Sequence, residues 1–309
     1  MEYCDYPIHA WSAYRHHLRR LCPRKARLHS CECRAGANAE AATPLRLLHD
    51  LRRRIPLRQY LNRLFDRALR EMFYSGTGAD DTLEISPELL ERNICCRFDR
   101  EFELMLCGTA SRDHRLYFIR ELEEKNCNIS VLVSDAEKSI RSMCGALKKE
   151  LWKLISSTPM LSRRDIAAPL ALNINELRCY CSPLFALEKN GELWIVESNC
   201  DDRIALLHKF YAVNSLHREV DLVRSFSYDR NSGDFHEAGI ALEISRILQQ
   251  ISEDGFHWQN LIELPFDEVP VNPEHCPACE FSFFCNRYYP ENKSKINNVS
   301  NFMKQHIHW

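Results

Sequence analysis

The chain has 309 residues, of which 45% are hydrophobic and 27% charged, and its formal net charge at pH 7 is −2. This composition excludes a disordered or fibrous protein and predicts a globular one with one large domain or two ordinary ones. Because no stretch approaches eighteen consecutive apolar residues and the N-terminus lacks the apolar run of a signal peptide, we expect a cytoplasmic protein that makes no membrane contact.

The chain contains fifteen cysteines, an odd number that cannot pair completely in disulfides. In a reducing compartment such cysteines are either buried as small hydrophobic residues or used as metal ligands. Cys107, Cys127 and Cys144 stand alone in apolar patterns, so we expect them in the core. The clustered cysteines are therefore the candidates for a metal site.

Arginine is abundant in the first seventy or so residues. An N-terminal segment is predicted over residues 1–35, and the small-residue linker "RAGANAEAATP" overlaps its end. The stretch "PLRQYLNRLFDRALREMF" has apolar residues at helical spacing and predicts an amphipathic helix, with the arginine stripe Arg63, Arg67 and Arg70 on another face. That stripe is either a solvated face or, together with Arg24 and Lys25, a surface for DNA.

A second helix is predicted to begin at Ser134, which forms a capping box with Glu137, so that a mainly helical region covers residues 36–160. After it the pattern changes to β-forming residues in "IAAPLALNINELRCYCSPLFALEK" and "ELWIVES". The dipeptide Asn190-Gly191 between these stretches is a strong hairpin signal. We therefore expect two antiparallel strands joined by a tight turn.

Two acidic residues follow the predicted hairpin. Asp201 and Asp202 supply an N-terminal cap and a favourable dipole charge for a helix over residues 203–220. A further helix is predicted over residues 235–252, before a proline-rich approach to the C-terminal cysteines.

The C-terminal motif "HCPACEFSFFCNR" brings three cysteines, Cys276, Cys279 and Cys285, close enough in sequence to bind one inorganic centre. A tetrahedral zinc ion or a cuboidal iron–sulfur cluster needs a fourth donor. Cys22, in "CPRKARL", is the first candidate for this fourth ligand. On spacing alone, His275 and either Cys31 or Cys33 are alternatives.

The pair of motifs "CPRKARL" and "CPACEFSFFCNR" resembles the split iron–sulfur motif of the RecB-like nucleases, which include AddB-type nuclease subunits and CRISPR-associated RecB-like exonucleases. The resemblance implies an α/β fold with a PD-(D/E)XK nuclease-like core, which is a small mixed sheet flanked by helices. It also implies a large inserted helical region and an iron–sulfur staple that joins the two ends of the chain. The core would cover residues 161–270 and the C-terminal iron–sulfur segment residues 271–309. The implied ligands of a 4Fe-4S cluster, with zinc as the alternative, are Cys22, Cys276, Cys279 and Cys285.

PD-(D/E)XK nucleases hold Mg²⁺ or Mn²⁺ with an Asp on one strand and an Asp or Glu on the next, and a nearby Lys helps to activate water. Aligned on the turn, Glu197 takes the acidic position of the second strand. Leu184 stands where the Asp is expected, and Asn199 where the Lys is expected. In the following helix, Leu207 and Tyr211 stand where the group often has Gln and Tyr.

The resemblance therefore implies a degenerate catalytic site. The histidine that the group usually carries in its helical region, with a glycine shortly before it, is also missing, since His49 lacks that glycine. A relocated site is the alternative: Asp201 or Asp202 would replace the missing acid, and Lys209 the missing lysine, beside Glu197.

Three functions follow from these observations. The first is a degenerate RecB-like protein that serves as a DNA-binding or scaffolding subunit beside a helicase or nuclease, in DNA repair or phage defence. The second is an active Mg²⁺- or Mn²⁺-dependent exonuclease or endonuclease acting on single-stranded or end-containing DNA. The third is a zinc-stapled protein-interaction module.

Overall fold

The structure is a computed structural model, and it describes residues 10–30, 32–33, 51, 53–74, 86–107, 117–123, 127–159, 162–166, 170–174, 177–240, 242–265, 268–279, 281–282, 285 and 307–308. The predicted linker at 34–44, His49 and Cys31 lie outside the described residues.

The chain divides into two compact units. The first, called the terminal unit here, comprises Met1–Arg54, Asn173–Tyr180 and Leu248–Trp309. The second, the central unit, comprises Ile55–Leu172 and Cys181–Ile247.

Helices and strands alternate along the chain, which confirms the predicted mixed α/β class. The α-helices are α1 (Ala13–Leu21), α2 (Pro23–Ser30), α3 (Leu57–Tyr74), α4 (Pro87–Leu106), α5 (Ile129–Leu147), α6 (Leu151–Ser157), α7 (Asp202–Leu216) and α8 (Ile244–Glu263). The strands are β1 (Trp11–Ser12), β2 (Glu32–Cys33), β3 (Arg54–Ile55), β4 (Phe118–Ile119), β5 (Arg163–Arg164), β6 (Leu170–Ile174), β7 (Leu177–Cys181), β8 (Phe185–Lys189), β9 (Glu192–Ser198), β10 (Val223–Tyr228), β11 (Phe235–Glu237) and β12 (Ile307–His308).

In the terminal unit, the N-terminal helices pack against the C-terminal part of the chain. Ser12 caps α1, because its side chain accepts a hydrogen bond from the backbone N–H of Arg15. A small apolar core is formed by Leu18, Ala26, Trp258, Leu261, Ile262 and Val269. Strand β1 pairs in parallel with β7, at the edge of a three-stranded sheet of order β1-β7-β6.

Helices α3, α4 and α5 build most of the core of the central unit. The apolar face predicted for α3 is buried, from Tyr60 to Phe73, and the ring of Phe73 stacks on Phe185 of β8 with centroids 4.3 Å apart. The helix observed, Leu57–Tyr74, confirms the amphipathic helix predicted from this sequence.

The sheet of the central unit has the order β11-β10-β9-β8-β5. Strands β5, β8 and β9 pair antiparallel, and β10 lies parallel to β9. Helix α7 makes the connection between the two parallel strands, as a parallel pair requires. Asn190 and Gly191 have φ of 54° and 83°, so the predicted hairpin is confirmed.

Two predicted helix starts are wrong. Helix α5 begins at Ile129 and not at Ser134, because the side chain of Asn128 accepts hydrogen bonds from the N–H groups of Ser130 and Val131. The buried face of α5 includes Leu132, which lies before Ser134. Packing in the core therefore stabilises this earlier part of the helix.

The helix predicted over residues 235–252 starts later, at Ile244. Phe235–Glu237 instead form β11, which pairs antiparallel with β10. The chain reverses direction between the two strands in a turn that contains Gly233, whose φ of +76° is one that glycine adopts without strain.

Within the described ranges, no helix combines the length and the apolar character that a bilayer crossing requires.

Candidate functional site

A thiol, a carboxylate and an imidazole meet in the central unit. Cys181 is the last residue of β7, Glu197 lies near the end of β9, and His208 lies on α7. One potential ligand atom of each residue lies within 4.8 Å of those of the other two. The exposed fractions are 5% for Cys181, 8% for Glu197 and 0% for His208, so all three groups are removed from bulk water. These three residues are called the CEH group here.

Local structure explains how the CEH group forms. Strand β9 ends at Ser198, and Asp201 caps the helix that begins at the next residue. Helix α7 packs back along the sheet, which places His208 nearly two turns into the helix, opposite Glu197.

Hydrogen bonds hold the carboxylate and the imidazole of the CEH group in place. Glu197 Oε1 accepts from the backbone N–H of Ser182 at 3.1 Å, and Oε2 lies 2.9 Å from His208 Nε2. The other ring nitrogen, Nδ1, lies 3.2 Å from Ser225 Oγ. Ser225 Oγ in turn lies 3.5 Å from the carbonyl oxygen of Ala205, to which it donates. Buried polar groups need such partners, because leaving them unpaired is costly.

The sequence analysis missed Cys181 and His208. Cys181 alternates with Cys179 in "RCYC", a pattern that is typical of a strand with a buried thiol face. His208 follows the apolar run "IALL" and lies on the buried side of α7. Neither pattern reveals that the two residues meet.

The positions expected to hold an Asp and a Lys contain residues with structural roles. Leu184 is 1% exposed in the core of the central unit, and its N–H donates to the carbonyl of Val196 at 2.7 Å. Asn199 has φ of +56°, in the left-handed region that Asn tolerates better than Lys. Leu207 is fully buried. Tyr211 lies one helical turn after Leu207 on α7, and burial raises the pKa of its phenol.

The acids proposed for a relocated site have other partners. Asp201 is the N-cap of α7, which confirms its predicted capping role: it accepts from the N–H groups of Arg203 and Ile204 at 3.1 and 3.0 Å. Asp202 accepts from the N–H of Leu242 at 3.1 Å. Lys209 is half-buried and follows His208 directly, so the two side chains leave the helix about 100° apart.

The charge of Glu197 acts on a second carboxylate, that of Asp66. Asp66, on α3, accepts two hydrogen bonds from the guanidinium of Arg230, one of them 2.6 Å long. Burial raises the pKa of Asp66, the charges of Arg230 and Arg70 lower it, and the charge of Glu197 raises it. The carboxylate that could join Glu197 in a two-acid site is therefore already paired with an arginine.

The four predicted cluster ligands belong to the terminal unit, and three of them act electrostatically on the fourth, Cys285. Burial raises the pKa of the Cys285 thiol to about 12, Arg24 opposes this shift, and the charges of Cys279, Cys22 and Cys276 add to it. This electrostatic effect links Cys22 to the three C-terminal cysteines, although Cys22 and Cys276 lie 254 positions apart in the sequence.

Residues of the motif "CPRKARL" fix α2 to the C-terminal segment. Arg24 donates to the carbonyl of Val269 from Nε at 3.1 Å and from Nη2 at 2.9 Å. Arg27 donates to the carbonyl of Leu261 at 3.0 Å, and Asn272 donates to that of Leu21 at 2.9 Å. These contacts tie the segments on either side of Cys22 to the C-terminal part of the chain.

Of the alternative fourth ligands, His275 lies with Nε2 3.3 Å from the ammonium of Lys25. Cys33 belongs to β2, and its side chain lies outside the described residues, as does Cys31.

The cations predicted to bind DNA all have contacts within the protein. Arg24 and Lys25 bind Val269 and His275. The guanidinium of Arg63 lies 3.9 Å from the ring centroid of Tyr117. Arg67 pairs with Glu71, and Arg70 donates to the carbonyls of Leu184 and Pro183. Arg67 is the exposed one of these five cations, with 64% of its side chain in solvent.

The three isolated cysteines differ in burial. Cys144 is buried in the core of the central unit, and Cys127 packs against that core. The prediction for Cys107 is wrong: its backbone caps the C-terminus of α4, and its side chain is exposed.

No protein-family model matches the chain, and no curated protein matches it.

Proposed function

We propose that this chain is a catalytically degenerate RecB-like protein of the PD-(D/E)XK nuclease superfamily. In this proposal it keeps an iron–sulfur-stapled fold, has lost Mg²⁺-dependent cleavage, and serves as a DNA-binding or scaffolding subunit beside a helicase or nuclease. The observation that carries the proposal is the environment of Leu184 and Glu197 in the central sheet.

The topology of the central sheet supports a nuclease-like core. Strands β8 and β9 are consecutive and antiparallel, and the two positions at which the family holds its acids fall directly before β8, at Leu184, and within β9, at Glu197. Helix α7 follows, and β10 then returns parallel to β9. A small mixed sheet flanked by helices is the core that the resemblance implies.

The residues at those two positions support the loss of Mg²⁺ chemistry. Mg²⁺ prefers oxygen ligands in octahedral geometry, usually one or two carboxylates and several waters. Leu184 offers no oxygen and is buried in the apolar core. Glu197 is held by Ser182 and His208, and the nearby Asp66 is paired with Arg230. Asp201 and Asp202 bind backbone N–H groups.

The four thiols of the terminal unit support the staple. Cys22 comes from the N-terminal helices, and the other three cysteines come from the C-terminal segment, so a 4Fe-4S cluster bound by all four would tie the two segments together. Because a metal centre that exists only in the folded state adds its binding energy to folding, the cluster would stabilise the terminal unit.

The arginine contacts favour the scaffolding part of the proposal over tight DNA binding. Arg24 and Arg70 bind backbone carbonyls, and these bonds hold segments of the fold together. Arg67 has the exposure that a phosphate contact needs. DNA binding through such a surface would be weak, independent of sequence and strongly salt-dependent.

A nuclease assay on the full chain, purified without oxygen, tests the catalytic part. Single-stranded, blunt and tailed DNA are incubated with Mg²⁺ or Mn²⁺, and Glu197→Gln protein is the matched control. We expect no more product from the wild type than from this variant. Metal-dependent cleavage that disappears in Glu197→Gln would show an active enzyme and overturn the proposal.

Metal analysis tests the staple. We expect a brown protein with about four irons and matching sulfide per chain. A colourless protein that holds zinc at these cysteines would support the zinc-stapled interaction module instead.

A further inference from the structure

We propose that the CEH group, Cys181, Glu197 and His208, binds a divalent transition-metal ion that is intermediate between hard and soft, with Zn²⁺ as the first candidate. It would be separate from the four-cysteine centre, and it does not depend on the nuclease-superfamily proposal. The proposal rests on the donor set, the spacing of the donors and the partners that orient them.

The donor set selects the kind of ion. Zinc binds thiolate sulfur, imidazole nitrogen and carboxylate oxygen, and these are the three donors of the CEH group. Mg²⁺ and Ca²⁺ take oxygen ligands, so a site with one carboxylate beside a sulfur and a nitrogen is a poor one for them. At the position where a nuclease would hold Mg²⁺, these side chains favour a softer ion.

The donor spacing is close to that of a bound ion. Tetrahedral zinc with ordinary bond lengths puts its nitrogen and oxygen ligands about 3.3 Å apart and its sulfur and nitrogen ligands about 3.5 Å apart. The ligand atoms of the CEH group lie within 4.8 Å of one another, and Glu197 Oε2 lies 2.9 Å from His208 Nε2. Shifts of less than about 1.5 Å, within the reach of side-chain rotation, would bring them to these distances.

Outer hydrogen bonds already orient two of the three ligands. A metal-binding histidine usually donates its second N–H to a nearby acceptor, which fixes the ring and its tautomer. His208 Nδ1 faces Ser225 Oγ at 3.2 Å, and Ser225 donates onward to the carbonyl of Ala205. When Nδ1–H donates to Ser225 Oγ, the lone pair of Nε2 is left for a metal.

The carboxylate has a comparable outer partner. Glu197 Oε1 is held by the N–H of Ser182 at 3.1 Å, so Oε2 points to the ion's position. Ser182 directly follows Cys181 in the chain, and one tight segment therefore positions two of the ligands.

Two buried acceptor atoms of the CEH group need a cation between them. With Nδ1 as the donor to Ser225, Nε2 and an ionised Oε2 are two acceptors 2.9 Å apart, and a proton or a metal ion must lie between them. Zn²⁺ would displace that proton and the proton of the Cys181 thiol, so that two protons leave as one ion enters. Three protein ligands leave a fourth position for water.

Metal counting on the full chain tests the proposal. Protein is loaded with Zn²⁺, passed over a desalting column, and analysed for zinc and iron per chain. We expect Cys181→Ser and His208→Gln each to lose one zinc per chain relative to the wild type, whatever the four-cysteine site holds. Iron per chain should be the same in all samples.

Co²⁺ gives a spectroscopic reading of the same site. Chelated protein reloaded with one equivalent of Co²⁺ is expected to show a near-ultraviolet sulfur-to-cobalt charge-transfer band and strong visible bands, as a four-coordinate ion with a thiolate ligand does. The charge-transfer band should vanish in Cys181→Ser and persist in Cys200→Ser. Cys200 is a matched control, because it is a buried thiol of the same unit.

Two results would overturn the proposal. The first is an unchanged zinc count in both Cys181→Ser and His208→Gln. The second is a cobalt spectrum that is the same in Cys181→Ser and in the wild type. Glu197→Gln keeps the shape of the side chain and should weaken zinc binding at least tenfold. If one variant does not fold, its far-ultraviolet circular dichroism shows this, and the zinc count of the other variant then decides.

Discussion

The imidazole of His208 and the carboxylate of Glu197 are hydrogen bonded at 2.9 Å, Nε2 to Oε2, and both side chains are buried. Glu197 is the residue that the nuclease resemblance retains. Its partner is a histidine on the next helix, and neither a second metal-binding acid nor a lysine takes that place. The carboxylate at this position therefore has a nitrogen atom of an imidazole as its neighbour.

The two partners should depend strongly on each other for stability. We expect His208→Leu to lower the free energy of unfolding by about 3 kcal/mol, because it leaves the Glu197 carboxylate buried without its partner. The double variant with Glu197→Leu should be less destabilised than the sum of the single variants, with a coupling energy of about 1–3 kcal/mol. Urea unfolding in the presence of a chelator measures this cycle, and simple additivity would contradict the pairing.

Much of the fold could be predicted because its signals are local. A tight hairpin requires positive φ at both central positions, and Asn190 and Gly191 meet this requirement. The position of Glu197 on β9 could then be predicted by counting residues from the turn. The start of α5 could not be predicted in this way. Two caps, Asn128 and Ser134, compete there, and burial of Leu132 decides between them.

The CEH group lay beyond sequence reasoning because its three members come from three different elements. A histidine in an apolar helix and a cysteine at the end of a strand each have an ordinary core interpretation. Only the parallel placement of β9 and β10, with α7 between them, brings His208 to Glu197 and to Ser225. The four-cysteine motif gave a clearer sequence signal, since a known pattern links its two ends, and the site it predicts stays a prediction.

Restoring the missing acid should not restore a nuclease. Leu184→Asp places a carboxylate in the apolar core, and we expect a loss of about 3 kcal/mol or more in stability. Leu184→Met, which nearly conserves volume, should cost less than about 1.5 kcal/mol. Both variants are compared by urea unfolding and by the nuclease assay. A stable Leu184→Asp protein with Mg²⁺-dependent cleavage would mean that the site is poised for catalysis and not eroded.

Two glycines of the central unit should respond in opposite directions to alanine. At Gly233, with φ of +76°, an added Cβ would lie 2.4 Å from the carbonyl oxygen of Ala146. We expect Gly233→Ala to cost about 2 kcal/mol or more, because strain and a backbone clash act together. At Gly145, inside α5, nothing lies within 4 Å of the added Cβ, so Gly145→Ala should stabilise by up to about 1 kcal/mol. Shifts of the urea midpoint measure both.

Loss of Cys22 should remove the metal centre that we propose for the terminal unit. Cys22→Ser is expected to yield poorly soluble protein with little iron, because the two ends of the chain are no longer tied together. Cys107→Ser is the matched control, since Cys107 is exposed. It should keep the iron content and solubility of the wild type. A Cys22→Ser protein with its full metal content and thermal stability would show that Cys22 is not the fourth ligand.

Two arginines of α3 should separate a surface role from a structural one. Arg67 has 64% of its side chain in solvent and pairs with Glu71, a type of exposed pair that contributes less than about 1 kcal/mol. We therefore expect Arg67→Gln to leave stability nearly unchanged and to weaken binding of single-stranded DNA by about two- to fivefold at low salt. Arg70 donates to the carbonyls of Leu184 and Pro183, so Arg70→Gln should lower stability by about 1–3 kcal/mol. Fluorescence anisotropy at two salt concentrations and urea unfolding distinguish the two effects. If wild type and Arg67→Gln bind DNA equally at low salt, α3 does not present a DNA-binding face, and the scaffolding role alone is supported.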